Sequence, residues 1–449
     1  MSRSNRKFRK RKAVPTEPVR INIDSLSHEG RGVGRIDGKT VFVDGALPGE
    51  EVEMLYTYQR GKFDEGRVNQ VISASPDRVE APCQHYSVCG GCSMQHLSND
   101  AQISHKGDIL KEQLAHFAET QPEEWLAPLQ ADLLGYRRKA RLGVRWVFKK
   151  EKTLVGFREK YSNFLADIDS CPVLINKVSD LLLPMGELIS QMDSRQHIPQ
   201  IEVASGDEQI AFIVRHLKPL SEKDRVLWIE FAQKQQVAIY LQPKGPTTVH
   251  RIWPVEEQAA QLSYRLADFD VELLQQPLDF SQVNASINQK MVPLAIDLLD
   301  VQPEDNVLDL FCGLGNFTIP LATKAKTVVG VEGVQEMVER GAENAKHNNL
   351  DNVEFHQADL TTDLTNKVWN QRKYNKILID PARSGALEVI ENIVKFGADK
   401  IVYVSCNVAT LARDTGELVK SGYKLKKAGV MDMFPHTTHV ESIALFEKL

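Results

Sequence analysis

Four of the six cysteines fall in a pattern that chemistry can use: Cys83, Cys89 and Cys92 form a C-x5-C-x2-C run, and Cys171 follows far downstream, before Pro172. Two thiolates two residues apart bind one metal centre through a tight turn, here opened by Gly90 and Gly91, and Cys171 is the natural fourth ligand. Soft thiolates select zinc or an iron–sulfur cluster, and the spacing leaves both open.

A second group lies in the C-terminal third. Asp309-Leu310-Phe311-Cys312-Gly313-Leu314-Gly315-Asn316-Phe317 places glycines where a backbone approaches a ligand at a helix amino terminus. Glu332 follows Gly313 by nineteen residues, where an acid accepts ribose hydroxyl protons. The run lacks the full G-x-G-x-x-G and favours S-adenosylmethionine over a dinucleotide. Cys312 reads as a small packed residue. Asp380-Pro381-Ala382-Arg383-Ser384-Gly385 stands where amino-methylating enzymes carry an N/D-P-P-aromatic turn, and arginine in the aromatic's place points to a different acceptor. Ser405-Cys406-Asn407 ends a strand and opens a helix, which sets Cys406 at the carboxyl edge of a sheet and favours its thiolate. Glu441 opens the last strand, and beside a cysteine and a methyl donor its carboxylate is a general base.

These residue types fit one reaction. Carbon 5 of uracil is a poor nucleophile toward a sulfonium methyl group. A thiolate adding at carbon 6 makes an enolate, and carbon 5 then attacks the methyl. A base must next remove the carbon 5 proton so that the thiol can leave. Methylation of nitrogen needs neither group, so a cysteine with a glutamate points to carbon 5 of a pyrimidine. The base must leave its stack to reach a thiol, which calls for a flipped or single-stranded RNA uridine.

The elements that hold these groups fall into three regions. Over residues 14–74 the strict alternation Val19 to Asp24, and segments such as Thr40–Val43 and Glu51–Met54 between glycine turns, predict a small antiparallel OB-like barrel. Residues 75–280 mix a helix from Ser98 to Glu119 (stripe Ile103, Leu110, Leu114, Phe117), strands at Ala140–Phe148, Gln209–Arg215 and Val237–Gln242, and a helix from Asn176 to Gln191, an α+β domain. Over 281–449 buried-strand runs at Asn306–Leu310, Thr327–Val331, Val353–His356, Lys376–Ile379 and Lys400–Val404 alternate with helices such as Ala285–Leu299 and Val334–Asn348. That alternation is a doubly wound, Rossmann-like α/β fold.

Charge is unevenly placed along the 449 residues. The net charge of −5 hides seven basic residues within 1–12 and ten, against two acidic, within 137–160; the rest carries −20. An acidic body with two basic segments fits a polyanionic partner. The tail over 1–13 reads as a disordered arm. Tyr136, Trp146, Phe148 and Phe157 lie among the charges of the second segment, on an RNA face or in an ordinary core. No run of eighteen apolar residues occurs and the amino terminus has no secretory h-region. The expectation is a reduced, cytoplasmic setting with no membrane partner.

The stretch His28 to Glu53 resembles the TRAM domain, an RNA-binding barrel. The motifs D-L-F-C-G-L-G-N-F, D-P-A-R-S-G, S-C-N and F-P-H-T-x-H-x-E, in this order, resemble the RNA 5-methyluridine methyltransferases, and barrel, cysteines and methyltransferase together are similar to members acting on 23S ribosomal RNA. The resemblance covers the whole chain. It implies that Cys83, Cys89, Cys92 and Cys171 hold a [4Fe–4S] cluster. It places S-adenosylmethionine on Gln282, Phe311, Asn316, Glu332, Asp359 and Asp380, the nucleophile at Cys406 and the base at Glu441. Many relatives have proline after S-C-N, where this chain has Val408. The expected protein is a monomer on 23S ribosomal RNA, with no DNA partner. Two other readings stand beside it: a tRNA 5-methyluridine enzyme, and a catalytically silent RNA-binding or redox-sensing protein on the same fold.

Overall fold

The computed structural model describes residues 14–362 and 364–449; the basic tail expected over 1–13 lies outside them. The chain folds as two compact units. One takes the residues up to Pro82 with Cys92–His105 and His436–Thr438; the other takes Cys83–Gly91, Lys106–Pro435 and His439–Leu449.

In the first unit the alternation from Val19 turns Ile21 and Ile23 inward, where they meet Val41, Val43, Val52 and Met54. The strands Val19–Leu26, Gly32–Ile36, Lys39–Asp44, Glu51–Gln59 and Phe63–Ser73 close into a barrel in the order first, second, third, fifth, fourth. Closure leaves no edge strand exposed. Gly34 permits it: a Cβ there would sit 2.3 Å from the Asn22 carbonyl oxygen.

The second unit holds two larger sheets. One has six strands in the order His250–Trp253, Ala238–Gln242, Ile210–Arg215, Gln200–Ser205, Ala140–Val147, Lys152–Gly156. Met185, Ile189, Trp228 and Phe231, from two helices, pack in its core. The single helix expected from Asn176 to Gln191 is two, Asn176–Asp180 and Leu182–Ser190. Pro184 sits in the first turn of the second, where its missing N–H has no helical partner to lose.

The other sheet orders its eight strands Val353–Gln357, Thr327–Glu332, Asn306–Leu310, Lys376–Ile379, Lys400–Ser405, Glu441–Lys448, Tyr423–Met431, Glu124–Trp125. The first five are parallel, and the buried runs Val307–Leu310 and Ile377–Ile379 form its centre. Ala285–Leu299 and Gln335–His347 pack one face, and Leu387–Phe396, Val408–Lys420 and the latter part of Asn99–Phe117 pack the other. Phe117, expected on the buried stripe of that last helix, is exposed at its end, and Ala118 packs in the core instead. Strand order reverses between Asn306–Leu310 and Lys376–Ile379, so the carboxyl ends of those two strands flank a crevice, the place where open α/β sheets bind ligands.

The sheet departs from an all-parallel one at its end. Tyr423–Met431 and Glu441–Lys448 form an antiparallel hairpin, and Glu441–Lys448 runs antiparallel to Lys400–Ser405 with Ser405 opposite Ser442. Cys406 follows Ser405 and Glu441 precedes Ser442, so both lie at the end of that register. Among the described residues no helix is long and apolar enough to cross a membrane.

Candidate active site

The crevice begins where the Asn306–Leu310 strand ends. Phe311, at φ +64°, holds a left-handed conformation that a bulky residue adopts only when its surroundings over-determine it. Gly315 follows at φ +99°, with room for a Cβ only 2.9 Å from Ile319 Cγ1. Cys312 is buried and its thiol is pushed well up by burial and by the charges of Asp309 and Glu332, which fits its reading as packing.

Glu332 ends the next strand with its carboxylate held by backbone: Gly313 N donates at 3.1 Å and Val334 N at 3.0 Å. Each oxygen keeps acceptor capacity for a ligand hydroxyl. The Ala358 N–H bonds the Glu332 carbonyl at 2.9 Å and sets Asp359 beside it, exposed and held below the usual carboxylate range by the Thr361 hydroxyl and N–H. Asn316 accepts from the Tyr264 hydroxyl at 3.0 Å and exchanges two 2.9 Å bonds with Asn288. Gln282 lines a cleft with Tyr264 and Asn288, so the structure brings Gln282 and Asn316 to one corner. Tyr264 and Asn288 carried no signal in the sequence; Tyr264 lies in a two-stranded ribbon 52 residues before its partner.

Three acids share the crevice. Asp309 is fully buried; its Oδ2 accepts from Thr318 Oγ1 at 2.6 Å, and its Oδ1 has no hydrogen-bond partner among the described residues. Burial pushes it up to about 8 against the Thr318 bond, with help from Asp380 and Glu332. Asp380, whose N–H reaches the Leu310 carbonyl at 3.3 Å, is pushed up to about 7 by burial of its carboxyl. Glu441, 4% exposed, rises to about 8 through burial and the Asp380 charge, with Arg383 opposing. Asp309 and Arg383 were legible in their motifs as a strand-end acid and a substituted aromatic; their electrostatic roles were not.

Cys406 joins this group. Burial, then Glu441 and Asp380, raise its thiol to about 11, and Arg383 opposes them. A backbone hydrogen bond at the helix amino terminus does lower this thiol, but desolvation and two carboxylates act against it and outweigh it in the ligand-free protein. Its backbone is held on both sides. Asn407 caps the Val408–Lys420 helix through Ala409 N at 3.2 Å and donates to the Arg383 carbonyl at 2.9 Å; the Ser405 hydroxyl bridges the Asn407 N–H and carbonyl, each at 3.1 Å. The Asp380–Gly385 turn is tied to the same helix: Arg413 donates to the Ser384 carbonyl at 3.0 Å, and Asp414 accepts from Ala386 N at 2.7 Å. Ahead of Glu441, fully buried Lys106 donates to Asp432 at 2.7 Å and to the Phe434 carbonyl at 3.1 Å, fixing the end of the preceding strand.

Cys89, Cys171, Cys312 and Cys406 form no disulfide. Cys83, Cys89 and Cys171 lie in the second unit and repel one another's charge, while burial pushes the Cys89 and Cys171 thiols up. Cys92 follows Gly91 and belongs to the first unit. Among the described residues no three His, Cys, Asp or Glu side chains converge on a single metal ion. The basic segment 137–160 is only partly an outward face. Tyr136 is buried with its hydroxyl on the Pro435 carbonyl, and Phe157 packs into the six-stranded core. Trp146 lies under Arg195, and Phe148 alone of the four is fully outward, because the alternation of Ala140–Val147 serves a core.

Against models of known families, residues 98–449 match tRNA (Uracil-5-)-methyltransferase and residues 16–55 match the TRAM domain. The chain belongs to this methyltransferase family. It is an S-adenosylmethionine-dependent RNA uracil-C5 methyltransferase. A 23S rRNA (uracil(1939)-C(5))-methyltransferase RlmD of Alcanivorax borkumensis is 56% identical over 98% of the methyltransferase and 99% of the relative. The enzyme of the same name from Hahella chejuensis is 52% identical over 98% and 99%. Among solved structures, Pyrococcus abyssi tRNA (uracil-54, C5)-methyltransferase with S-adenosyl-L-homocysteine aligns at a TM-score of 0.72 and 24% identity, covering 95% of this chain and all of that one, a likeness of fold.

Proposed function

We propose that this methyltransferase acts on carbon 5 of a uridine in 23S ribosomal RNA, at the position its relatives' names give as 1939. Cys406 adds to carbon 6, the resulting enolate takes the methyl group at carbon 5, and Glu441 removes the carbon 5 proton as the thiolate leaves. The observation that carries this reading is that Cys406 and Glu441, at the end of one strand register, share a charged neighbourhood with Asp380 and Arg383. S-adenosylmethionine supplies the methyl group and a positive charge, and Gln282, Phe311, Asn316, Glu332, Asp359 and Asp380 are the residues to hold it. A uridine flipped from its stack, or single-stranded, reaches the thiol.

Residues 14–74 serve in this reading as the RNA-binding barrel, 75–280 as the α+β domain with the cysteines and 281–449 as the transferase, in a cytoplasmic monomer. Cys83, Cys89, Cys92 and Cys171 would hold a [4Fe–4S] cluster. The Cys89 and Cys171 thiols, disfavoured as bare thiolates by burial and neighbouring thiolate charge, would be stabilised by a cationic cluster. A cluster is wider than one ion, so its ligands need not converge on a point.

The test is tritium release from [5-³H]uridine-labelled RNA with S-adenosylmethionine. Release from 23S ribosomal RNA and not from tRNA is expected. Release from tRNA alone keeps the chemistry and overturns the substrate; release from neither, with cofactor bound, overturns the reaction.

The acids make a second expectation. Asp309, Asp380 and Glu441 are raised toward 7–8 in the ligand-free protein. A cationic ligand favours their ionised forms, so binding S-adenosylmethionine releases protons and tightens as pH rises from 6 through 8. Calorimetry in two buffers of different ionisation heat reads the release. S-adenosylhomocysteine, which lacks the sulfonium charge, should bind with a flatter profile; equal profiles for the two ligands would detach these acids from the sulfonium.

A further inference from the structure

Where the basic segment ends, the chain from Phe157 to Ala166 doubles back on itself. Ala166 N reaches the Phe157 carbonyl at 2.9 Å, Glu159 N reaches the Phe164 carbonyl at 3.0 Å, and the Ser162 hydroxyl ties the tip to the Glu159 carboxylate at 2.6 Å. The loop is buttressed from outside: Gly90 N donates to the Arg158 carbonyl at 2.8 Å and Lys160 N to the Val88 carbonyl at 2.9 Å, pairing it with the cysteine-bearing segment. Lys160 Nζ lies 3.5 Å from the Tyr86 ring centroid.

This braced loop exposes what a protein ordinarily hides. Phe164 is 75% exposed and Tyr161 53%, with Val88 48% exposed on the neighbouring segment. Scattered apolar side chains on a surface need no explanation, but two large aromatics within four residues, on a loop held by backbone hydrogen bonds and carrying Arg158 and Lys160, form a patch of one kind. Beside it, Lys150 and Lys152 both pair with Asp167, which joins the exposed Phe148 turn to the same stretch of chain. Residues 148–167 carry five basic and three acidic side chains. A protein interface core is depleted in lysine, whereas flat rings interleaved with cations match a strand whose bases stack and whose phosphates are negative.

We infer that the 157–166 loop is a stacking platform for single-stranded RNA, with Tyr161 and Phe164 taking bases and Arg158 and Lys160 meeting the backbone between them. The inference rests on the RNA-substrate reading above and adds to it a contact remote in sequence from every residue of the reaction. Tyr161 and Phe164 follow the aromatics that the sequence singled out, of which Tyr136 is buried and Phe157 packs against the core at the foot of the loop.

The experiment is fluorescence anisotropy with the full-length protein and a fluorescein-labelled single-stranded 23S ribosomal RNA fragment, repeated over a salt series. The double variant Tyr161→Ala/Phe164→Ala should bind about five- to a hundred-fold more weakly, the range of one or two lost base–aromatic stacks, with the same slope of affinity against salt. Arg158→Gln/Lys160→Gln should instead flatten that slope. Phe164→Trp should keep wild-type affinity. Both side chains are exposed, so the fold should survive, and an unchanged melting temperature verifies it. Affinity of the aromatic variant within twofold of wild type overturns the platform, as does a change in its salt slope. A shift in sedimentation without a change in RNA affinity would assign the patch to a protein partner and overturn the inference too. Tritium release by the wild type reads methyl transfer on its own, so a failure of that reading stays distinct from a failure of this one, which the binding series reads.

Discussion

Cys406→Ala is expected to lose methyl transfer by on the order of 10⁶-fold, the scale on which covalent catalysts fail without their nucleophile, while binding RNA as before. The reaction has no other route: without addition at carbon 6, carbon 5 of uracil lacks the electron density to attack a sulfonium methyl. Local structure should tolerate the change, because the backbone around Cys406 is held by the Ser405 hydroxyl and the Asn407 side chain rather than by the thiol. Incubation with 5-fluorouridine RNA separates the possibilities, since fluorine at carbon 5 blocks the final proton removal and traps whatever thiol has added. Wild type should form an adduct stable to denaturation and Cys406→Ala none. An adduct from the variant would place the nucleophile elsewhere. The pH dependence has a definite sign: a thiol raised to about 11 and a base at about 8 both gain their working forms as pH rises, so kcat/KM of the wild type should climb through pH 7 to 9.

What was legible beforehand divides along the length scale of the forces involved. The strand Lys376–Ile379 and the helix Ala285–Leu299 could be bounded from sequence because a buried run and a helical stripe are local signals, and the bounds match the structure. The break at Leu181 was missed because the apolar stripe runs on through both helices. The order of the six-stranded sheet was unreadable, since Ala140–Val147 pairs with Gln200–Ser205 across a stretch that carries no pairing signal. The site divides in the same way. Each motif announced its own residue type, but the charge state of Cys406 depends on Glu441 from one segment and on Asp380 and Arg383 from another. Tyr264 reaches Asn316 from yet another. Local reasoning about a helix end therefore captured one contribution to the thiol and not the larger, opposing ones from its neighbours.

Glu441→Gln should fail differently, and the difference is the strongest test of the assigned pair. Glutamine keeps the shape of a side chain only 4% exposed but cannot accept the carbon 5 proton. Turnover should fall about 10²- to 10⁴-fold, the usual contribution of a positioned base. The first half of the reaction should not slow, because the substitution removes one of the two carboxylates that disfavour the Cys406 thiolate. Methylated RNA should therefore accumulate as a covalent protein adduct, seen as a shifted band in denaturing electrophoresis with methyl-labelled cofactor, where wild type shows only free methylated product. Loss of stability cannot imitate this result. A carboxyl whose folded pKa is raised to about 8 adds stability below its unfolded value near 4.5 and loses it as pH rises through 8, so glutamine, never charged, should leave the protein as stable as wild type at pH 8 or more so. Turnover at the wild-type rate, or loss of activity with no adduct on natural RNA, would remove Glu441 from proton abstraction and leave it the task of holding the hairpin end opposite Cys406.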